Sequence, residues 1–293
     1  VGSSFAYAAM IKGIAAEIIL IDSDEGREEG EVMDLSHALT GSTTGKVRGG
    51  DYSDCADVDI IVMCAGAAQK PGETRLDLLK KNSRITLDIF REMGPLNPAT
   101  IIILATNPVD ILTQLVKQIA PVKACQIFGS GTSLDTARLR TNIGRKLGVN
   151  HTCVHGYVLG EHGDSGFVPW SLVHVAGVKA ERLLTRNEMG DLEKQTMRSA
   201  YEIIQRKHAT YFGIGVLLLQ LAEDVLHDRK TIIPVSTEPG ELYGITGISL
   251  GIPAIIGRGG VEAVWPIPLQ AEENLKLQHS AEILSGYWKS LGY

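Results

Sequence analysis

The chain has 293 residues, which sets an expectation of one large domain or two modest ones, and its 44% hydrophobic content is ample for a buried core. A formal net charge of −6 with no basic run excludes an electrostatic footprint for nucleic acid or an anionic membrane, and apolar stretches such as IIILA at 101–105 are far too short to span a bilayer. The four cysteines, Cys55, Cys64, Cys125 and Cys153, form no C-x-x-C pair; Cys64 and Cys125 sit in apolar runs and read as buried reduced thiols, which fits a cytoplasmic protein without disulfides or a structural metal.

In chain order, VGSSFAYAAMIKG (1–13) reads as a helix met in mid-motif. EIILID (17–22), VDIIVMCAGA (58–67), TIIILATNP (100–108) and QIFGSGT (126–132) follow as short Ile/Val/Leu runs bounded by Gly, Asp or Asn-Pro, the pattern of strands buried on both faces. RLDLLKKNSRITLDIFREM (75–93) is long enough for a crossover helix, with Leu78, Ile85, Leu87 and Phe90 in its apolar pattern. Strand–helix alternation predicts an α/β fold with a Rossmann-type doubly wound parallel sheet over residues 1–130. Residues 131–293 read as a second, mixed α+β domain. In it VHGYVLG and WSLVHVAGV look like half-buried strands. Residues 198–227 form one long helical stretch, interrupted near Gly213 and Gly215. TGISLGIPAIIGRGGVEAVW (246–265) is punctuated like short antiparallel strands, and Leu277, Ala281, Leu284, Trp288 and Leu291 mark a docking C-terminal helix.

A dinucleotide-binding Rossmann unit needs a glycine-rich turn, a helix whose N-terminus faces the pyrophosphate, and an acid about 20 residues on. Gly2, followed by the small residues SSFAYAAM, fits the third glycine of such a turn. Asp22 ends the next strand, where its carboxylate would accept from the adenosine ribose and favour NAD over NADP. Taken alone, the two also fit a helix-packing glycine and a strand-end aspartate. The first two glycines are not in the chain, and the expectation is that the natural protein carries preceding residues with the first strand and the turn.

Four segments then converge on chemistry. AGAAQKPGETRLDL (65–78) is a Gly-rich loop with Gln69 and Arg75. ATNPVD (105–110) ends a strand with Asn107. GSGTSLDTARLR (129–140) opens a helix on which Asp135 and Arg138, at i and i+3, share a face. LGEHGDS (159–165) sets His162 between acids and glycines. A lone histidine is more often structural than catalytic; this flanking pattern argues the reverse.

On these motifs, GSGTSLDTAR and GEHGDS above all, the chain resembles the lactate/malate dehydrogenase family from its first residue to its last helix, and within it the NAD-dependent L-lactate dehydrogenases of the bacterial, fructose 1,6-bisphosphate-activated type. The resemblance implies roles. His162 is the acid/base, suited by an unperturbed pKa near 6.5, with Asp135 holding its other ring nitrogen. Arg138 grips the substrate carboxylate, and Arg75 polarises the carbonyl oxygen when its loop closes. Gln69, Asn107, Asp110 and Thr210 complete the substrate pocket. Val1, Gly2, Asp22, Arg27, Tyr52, Gly66, Ala67, Ala105, Thr106, Asn107 and Ser130 face NAD. For several of these, strand-end packing or an ordinary helix hydroxyl at Thr210 is an equally simple reading.

Gln69 bears on substrate. Malate-specific relatives carry arginine there; a neutral amide would leave the second carboxylate of oxaloacetate unpaired, at a cost of roughly 2–5 kcal/mol. Glu73 adds repulsion, and pyruvate fits. Arg140, five residues after Asp135, points away from the catalytic face. With His155 it matches the positions that hold fructose 1,6-bisphosphate at a subunit interface in activated relatives, against the reading of two unrelated surface residues. The resemblance further implies a homotetramer working in glycolysis and pyruvate fermentation. No metal is expected: His151 and His155 are four apart, but a third ligand is lacking. Residues 177–201 look several residues shorter than in relatives, through a genuine deletion or the omission of a mobile surface loop. The alternatives are a malate or other 2-hydroxy acid dehydrogenase and, more remotely, a non-catalytic nucleotide-binding protein.

Overall fold

The computed structural model describes residues 1–68, 72 and 74–292. The largest sheet has six strands in the order β11-β10-β9-β5-β4-β3. Three are parallel and come from the first half: β3 (Ile60–Met63), β4 (Ile101–Leu104) and β5 (Ile127–Gly129). β4 is enclosed throughout, with Ile101–Leu104 no more than 2% exposed, as expected of a strand covered by helices on both faces. The other three are antiparallel and come from the second half: β9 (Thr231–Thr237), β10 (Leu250–Gly257) and β11 (Gly260–Val264). They join through a single bridge, Gly129 to Ser236. β1 (Glu17–Leu20) and β2 (Lys46–Gly49) form a separate parallel pair, and β1 is not enclosed on both faces as its Ile/Leu run suggests. A third sheet holds β6 (Val154–His155), β7 (His174–Val175) and β8 (Val178–Lys179).

Helix α1 (Gly2–Lys12) precedes β1, while α2 (Glu25–Ala38), α3 (Arg75–Met93), α4 (Val109–Ile119) and α5 (Ser133–Leu147) come after β1, β3, β4 and β5. The start of α3 is fixed by a capping box, Thr74 accepting from the Asp77 amide while Asp77 reaches back to Thr74. α5 ends at Gly148, whose left-handed φ of 68° a side chain would oppose. The C-terminal helix α8 (Ala271–Ser290) buries Leu277, Ala281 and Leu284, while Trp288 and Leu291 pack at its margin.

The long helical stretch departs from its sequence reading. It starts earlier, because Thr185 and Glu188 form a capping box, and it breaks at 208–211 instead of at the glycines. The result is α6 (Arg186–Lys207) and α7 (Phe212–Leu226), with His208 at φ 66° between them. Gly215 lies inside α7 because α1 packs there: a Cβ would stand 3.1 Å from Ser4. Residues 177–201 run through β8 and a short 3-10 turn into α6. Cys125 is exposed, not buried, because it sits in the 3-10 turn ahead of β5 instead of in the strand. All four cysteines are free, and no helix is long and apolar enough to cross a membrane among the described residues.

Candidate active site

The C-terminal ends of the parallel strands carry the residues read for the cofactor. Asp22 follows β1 on the surface; its Oδ1 accepts from the Asp24 amide, and its own amide donates to Glu28. Arg27 lies exposed on α2, and Val1 and Gly2 stand at the start of α1. Tyr52 is half-buried against the sheet. Gly66 and Ala67 follow β3, Ala105 to Asn107 follow β4, and Ser130 follows β5 with its amide on the Leu104 carbonyl. At Gly66 a Cβ would meet Thr106 Cγ2 at 2.4 Å, so only glycine lets these two strand ends lie together. The Thr106 hydroxyl donates to the Ala65 carbonyl at 2.7 Å. Buried Asn82 of α3, which sequence reasoning missed, laces the two ends: its amide nitrogen donates to the carbonyls of Ala67 and Asn107, and its oxygen accepts from the Ala67 amide.

His162 stands on a loop pinned from three sides. Gly160 pairs with Gly251 of β10, the Glu161 amide donates to Ser280 Oγ of α8 at 2.6 Å, and the His162 amide donates to Asp110 Oδ2 of α4 at 2.8 Å. Gly160 has φ 87°, and a Cβ there would lie 2.7 Å from Ser280 Oγ, so the first glycine of the motif is required by the close approach of α8. The ring Nδ1 is 2.6 Å from Asp135 Oδ2, and Arg138 Nη1 is 2.8 Å from Asp135 Oδ1. With Nδ1 committed to the carboxylate, Nε2 is the nitrogen left to exchange a proton with a ligand. Side-chain exposures of 24% for His162 and 13% for Arg138, against 7% for Asp135, put the first two at the cleft and the acid beneath them.

Electrostatics follow from that burial. Loss of solvent alone would lower the His162 pKa, but the Asp135 carboxylate, by charge and by hydrogen bond, with Asp110 behind it, raises it above the ordinary histidine value. Burial alone would raise Asp135, yet His162 and Arg138 outweigh it and hold the carboxyl below its usual range. Asp110 has no such counter-charge in contact, and burial pushes it up to about 6. The buried Ser236 hydroxyl and the His162 amide beside it offset that burial only in part. Asp110, read as a substrate contact, is 2% exposed, and its carboxylate accepts from the backbone amide of His162.

Arg75, the first residue of α3, reaches this loop on both sides of the histidine. Its Nη2 lies 2.7 Å from Asp164 Oδ2 and 2.9 Å from the Tyr201 hydroxyl of α6, and Nη1 lies 3.5 Å from Glu161 Oε1. Tyr201 also donates to Asp164. These three partners carry no sequence signal that ties them to Arg75. Thr210 is half-buried in the bend between α6 and α7. Gln69 and Glu73 lie outside the described residues. Arg140 and His155 stand apart from this cluster: Arg140 Nε donates to the Gly156 carbonyl at 3.2 Å, its guanidinium lies 5.6 Å from the centre of the Tyr157 ring, and His155 is exposed on β6. Among the described residues no group of three or more His, Cys, Asp or Glu is arranged to hold a metal.

Strand ends open to a dinucleotide, beside an imidazole set on a buried carboxylate and an arginine one helical turn away, have the layout of a nicotinamide-dependent oxidoreductase. Residues 1–129 match the family description "lactate/malate dehydrogenase, NAD binding domain", and residues 132–290 match "lactate/malate dehydrogenase, alpha/beta C-terminal domain". The chain belongs to the lactate/malate dehydrogenase family, and NAD is its cofactor. Among curated relatives, the L-lactate dehydrogenase of Priestia megaterium is 41% identical over 290 residues, covering 97% of this chain and 91% of that protein. L-lactate dehydrogenase 2 of Bacillus cereus is 42% identical over 291 residues, covering 97% and 93%. The crystal structure of a lactate dehydrogenase enzyme from a Medee basin deep-sea metagenome library superposes with a TM-score of 0.95 at 36% identity, covering 100% of this chain and 96% of that one.

Proposed function

We propose that this chain is an NAD-dependent L-lactate dehydrogenase, interconverting L-lactate and NAD⁺ with pyruvate, NADH and a proton. NADH, bound along the strand ends, supplies the hydride. The surface carboxylate of Asp22, which makes no salt bridge among the described residues, suits ribose hydroxyls, and the close-packed Gly66–Thr106 edge leaves backbone exposed to a phosphate. Val1, Gly2, Arg27, Tyr52, Ala67, Ala105, Asn107 and Ser130 belong to the same cofactor surface in this reading, with residues 1–130 as the dinucleotide half and 131–293 as the substrate half.

The observation that carries the reading is the 2.6 Å contact between His162 Nδ1 and Asp135 with Arg138 on the same carboxylate. In the reducing direction His162 delivers a proton from Nε2 to the keto oxygen, and Asp135 stabilises the imidazolium before that transfer. Arg138 holds the substrate carboxylate with guanidinium nitrogens not used by Asp135. Arg75 turns from Asp164 and Tyr201 toward the oxygen on which negative charge develops. Asn107 donates to that oxygen, and Thr210 and Gln69 shape the pocket around the methyl group.

Further proposals are a homotetramer, activation by fructose 1,6-bisphosphate at Arg140 and His155, and a cytoplasmic role in pyruvate fermentation. α1 and α7, which pack side by side, both leave apolar residues in solvent, Tyr7 and Ile11 on one and Phe212 and Val216 on the other; a second copy of the chain is the occupant these faces suit. Arg140, part-buried and without a carboxylate partner among the described residues, is a natural anion ligand.

The deciding experiment follows NADH absorbance with pyruvate and then oxaloacetate, with and without fructose 1,6-bisphosphate. Pyruvate should be reduced faster, and Gln69→Arg should move preference toward oxaloacetate. A wild-type preference for oxaloacetate would replace this reading with a malate dehydrogenase.

A further inference from the structure

A cavity of about 320 Å³ lies between α3 and the C-terminal end of α8, away from the cleft that holds His162. Its apolar lining comes from Leu87, Leu115 and Leu291. Ser83, also in the lining, is 5% exposed, and its hydroxyl is buried without any hydrogen-bond partner.

The polar wall is cationic. Lys80 and Arg84 line the same cavity one helical turn apart, a like-charge spacing that destabilises a helix. Neither forms a salt bridge among the described residues, although Asp77, one turn back, feels the Lys80 charge. Two cations without a carboxylate in salt-bridge contact among the described residues, set over an apolar floor, are complementary to one ligand chemistry. We infer that this cavity binds a small amphipathic anion, a carboxylate or phosphate head carrying a short apolar body, at a site separate from the catalytic cleft.

The position gives such a ligand a route to the active site. α3 begins with Arg75, and α8 carries Ser280, which accepts the Glu161 amide and contacts the Ser165 hydroxyl. An anion held between the two helices therefore bears on both elements that flank His162. The competing account is that Lys80 and Arg84 only complement the C-terminal carbonyls of α8.

The test is calorimetric titration of the full chain with octanoate, both free and with the catalytic cleft filled by NADH and the pyruvate-shaped anion oxamate; butyl phosphate in a parallel series distinguishes the two head groups. Saturable binding in both states is expected, weakened about tenfold by Arg84→Gln and several-fold by Lys80→Gln, neither residue touching the cleft. No saturable binding up to about 10 mM, binding indifferent to both substitutions, or binding abolished by oxamate would overturn the inference. So would Arg84→Gln lowering the melting temperature with no binding to lose, the signature of helix capping. Because the free chain is titrated as well, failure of NADH or oxamate to bind would count against the catalytic reading alone.

Discussion

The imidazole of His162 is held between two carboxylates that act differently on it. Asp135 contacts the ring and raises its proton affinity; Asp110 contacts the backbone amide and fixes where the ring sits. In the direction of pyruvate reduction the protonated ring is the active form, so kcat/KM should be level at low pH and fall as pH rises through the raised His162 value. Asp135→Asn removes the charge and should lower the neutral-pH rate by about 10²-fold while moving that fall to lower pH; an unshifted profile would mean that the pair does not set the titration. The same pair contributes stability over a defined window. The His162 contribution is complete below the ordinary histidine pKa near 6.5 and is lost as pH rises through the higher folded value. The Asp135 contribution is complete above the ordinary carboxylate range and is lost as pH falls through its lowered folded value. Urea midpoints measured against pH should therefore fall off on both sides of this window in wild type, and do so less in Asp135→Asn.

At the scale of elements, the His162 loop owes its place to α4, α5, α8 and β10 together, none of which adjoins it in sequence. Ser280 is the tie from α8: Ser280→Ala leaves the buried Glu161 amide without its acceptor and should cost about 1–3 kcal/mol in urea unfolding, with a drop in kcat larger than any change in NADH binding. The α1–α7 contact depends on the absence of a side chain at Gly215. Gly215→Val forces atoms into space already held by Ser4 and Phe5 and should lower stability by about 1–3 kcal/mol, read as a lower melting temperature. β9 shows why one element escaped the sequence. Its run TIIPVST contains a proline, which marks an edge strand or none, yet β9 lies between β5 and β10. Pro234 faces Pro253 across the ladder, so the two missing donors fall on one rung.

For the molecule as a whole, the exposed apolar residues of α1 and α7 carry the proposed subunit contact. Replacing both Phe212 and Val216 with Lys should shift sedimentation toward a smaller species at micromolar concentration, while the variant keeps its circular-dichroism spectrum. A single unchanged species would remove these helices from any subunit contact. The large sheet also changes how the two halves are understood. Strands from residues 231–264 extend the parallel strands of the first half, so the two halves share one hydrogen-bonded sheet.

Sequence alone determined what depends on short-range periodicity and residue chemistry. The runs of β3, β4 and β5, the α3 boundaries, and the i, i+3 spacing that puts Asp135 and Arg138 on one face were legible there. So was the histidine proposed as the acid/base, since side-chain chemistry is local. Only the tertiary structure decided what depends on chain segments far apart: that Asp110 holds the His162 backbone, that Tyr201 and Asp164 hold Arg75, that Asn82 joins two strand ends, and that the helix breaks at 208–211. Those contacts are made by polar groups brought together by folding, and a hydrogen bond across 52 or 126 residues leaves no period in the sequence by which to read it.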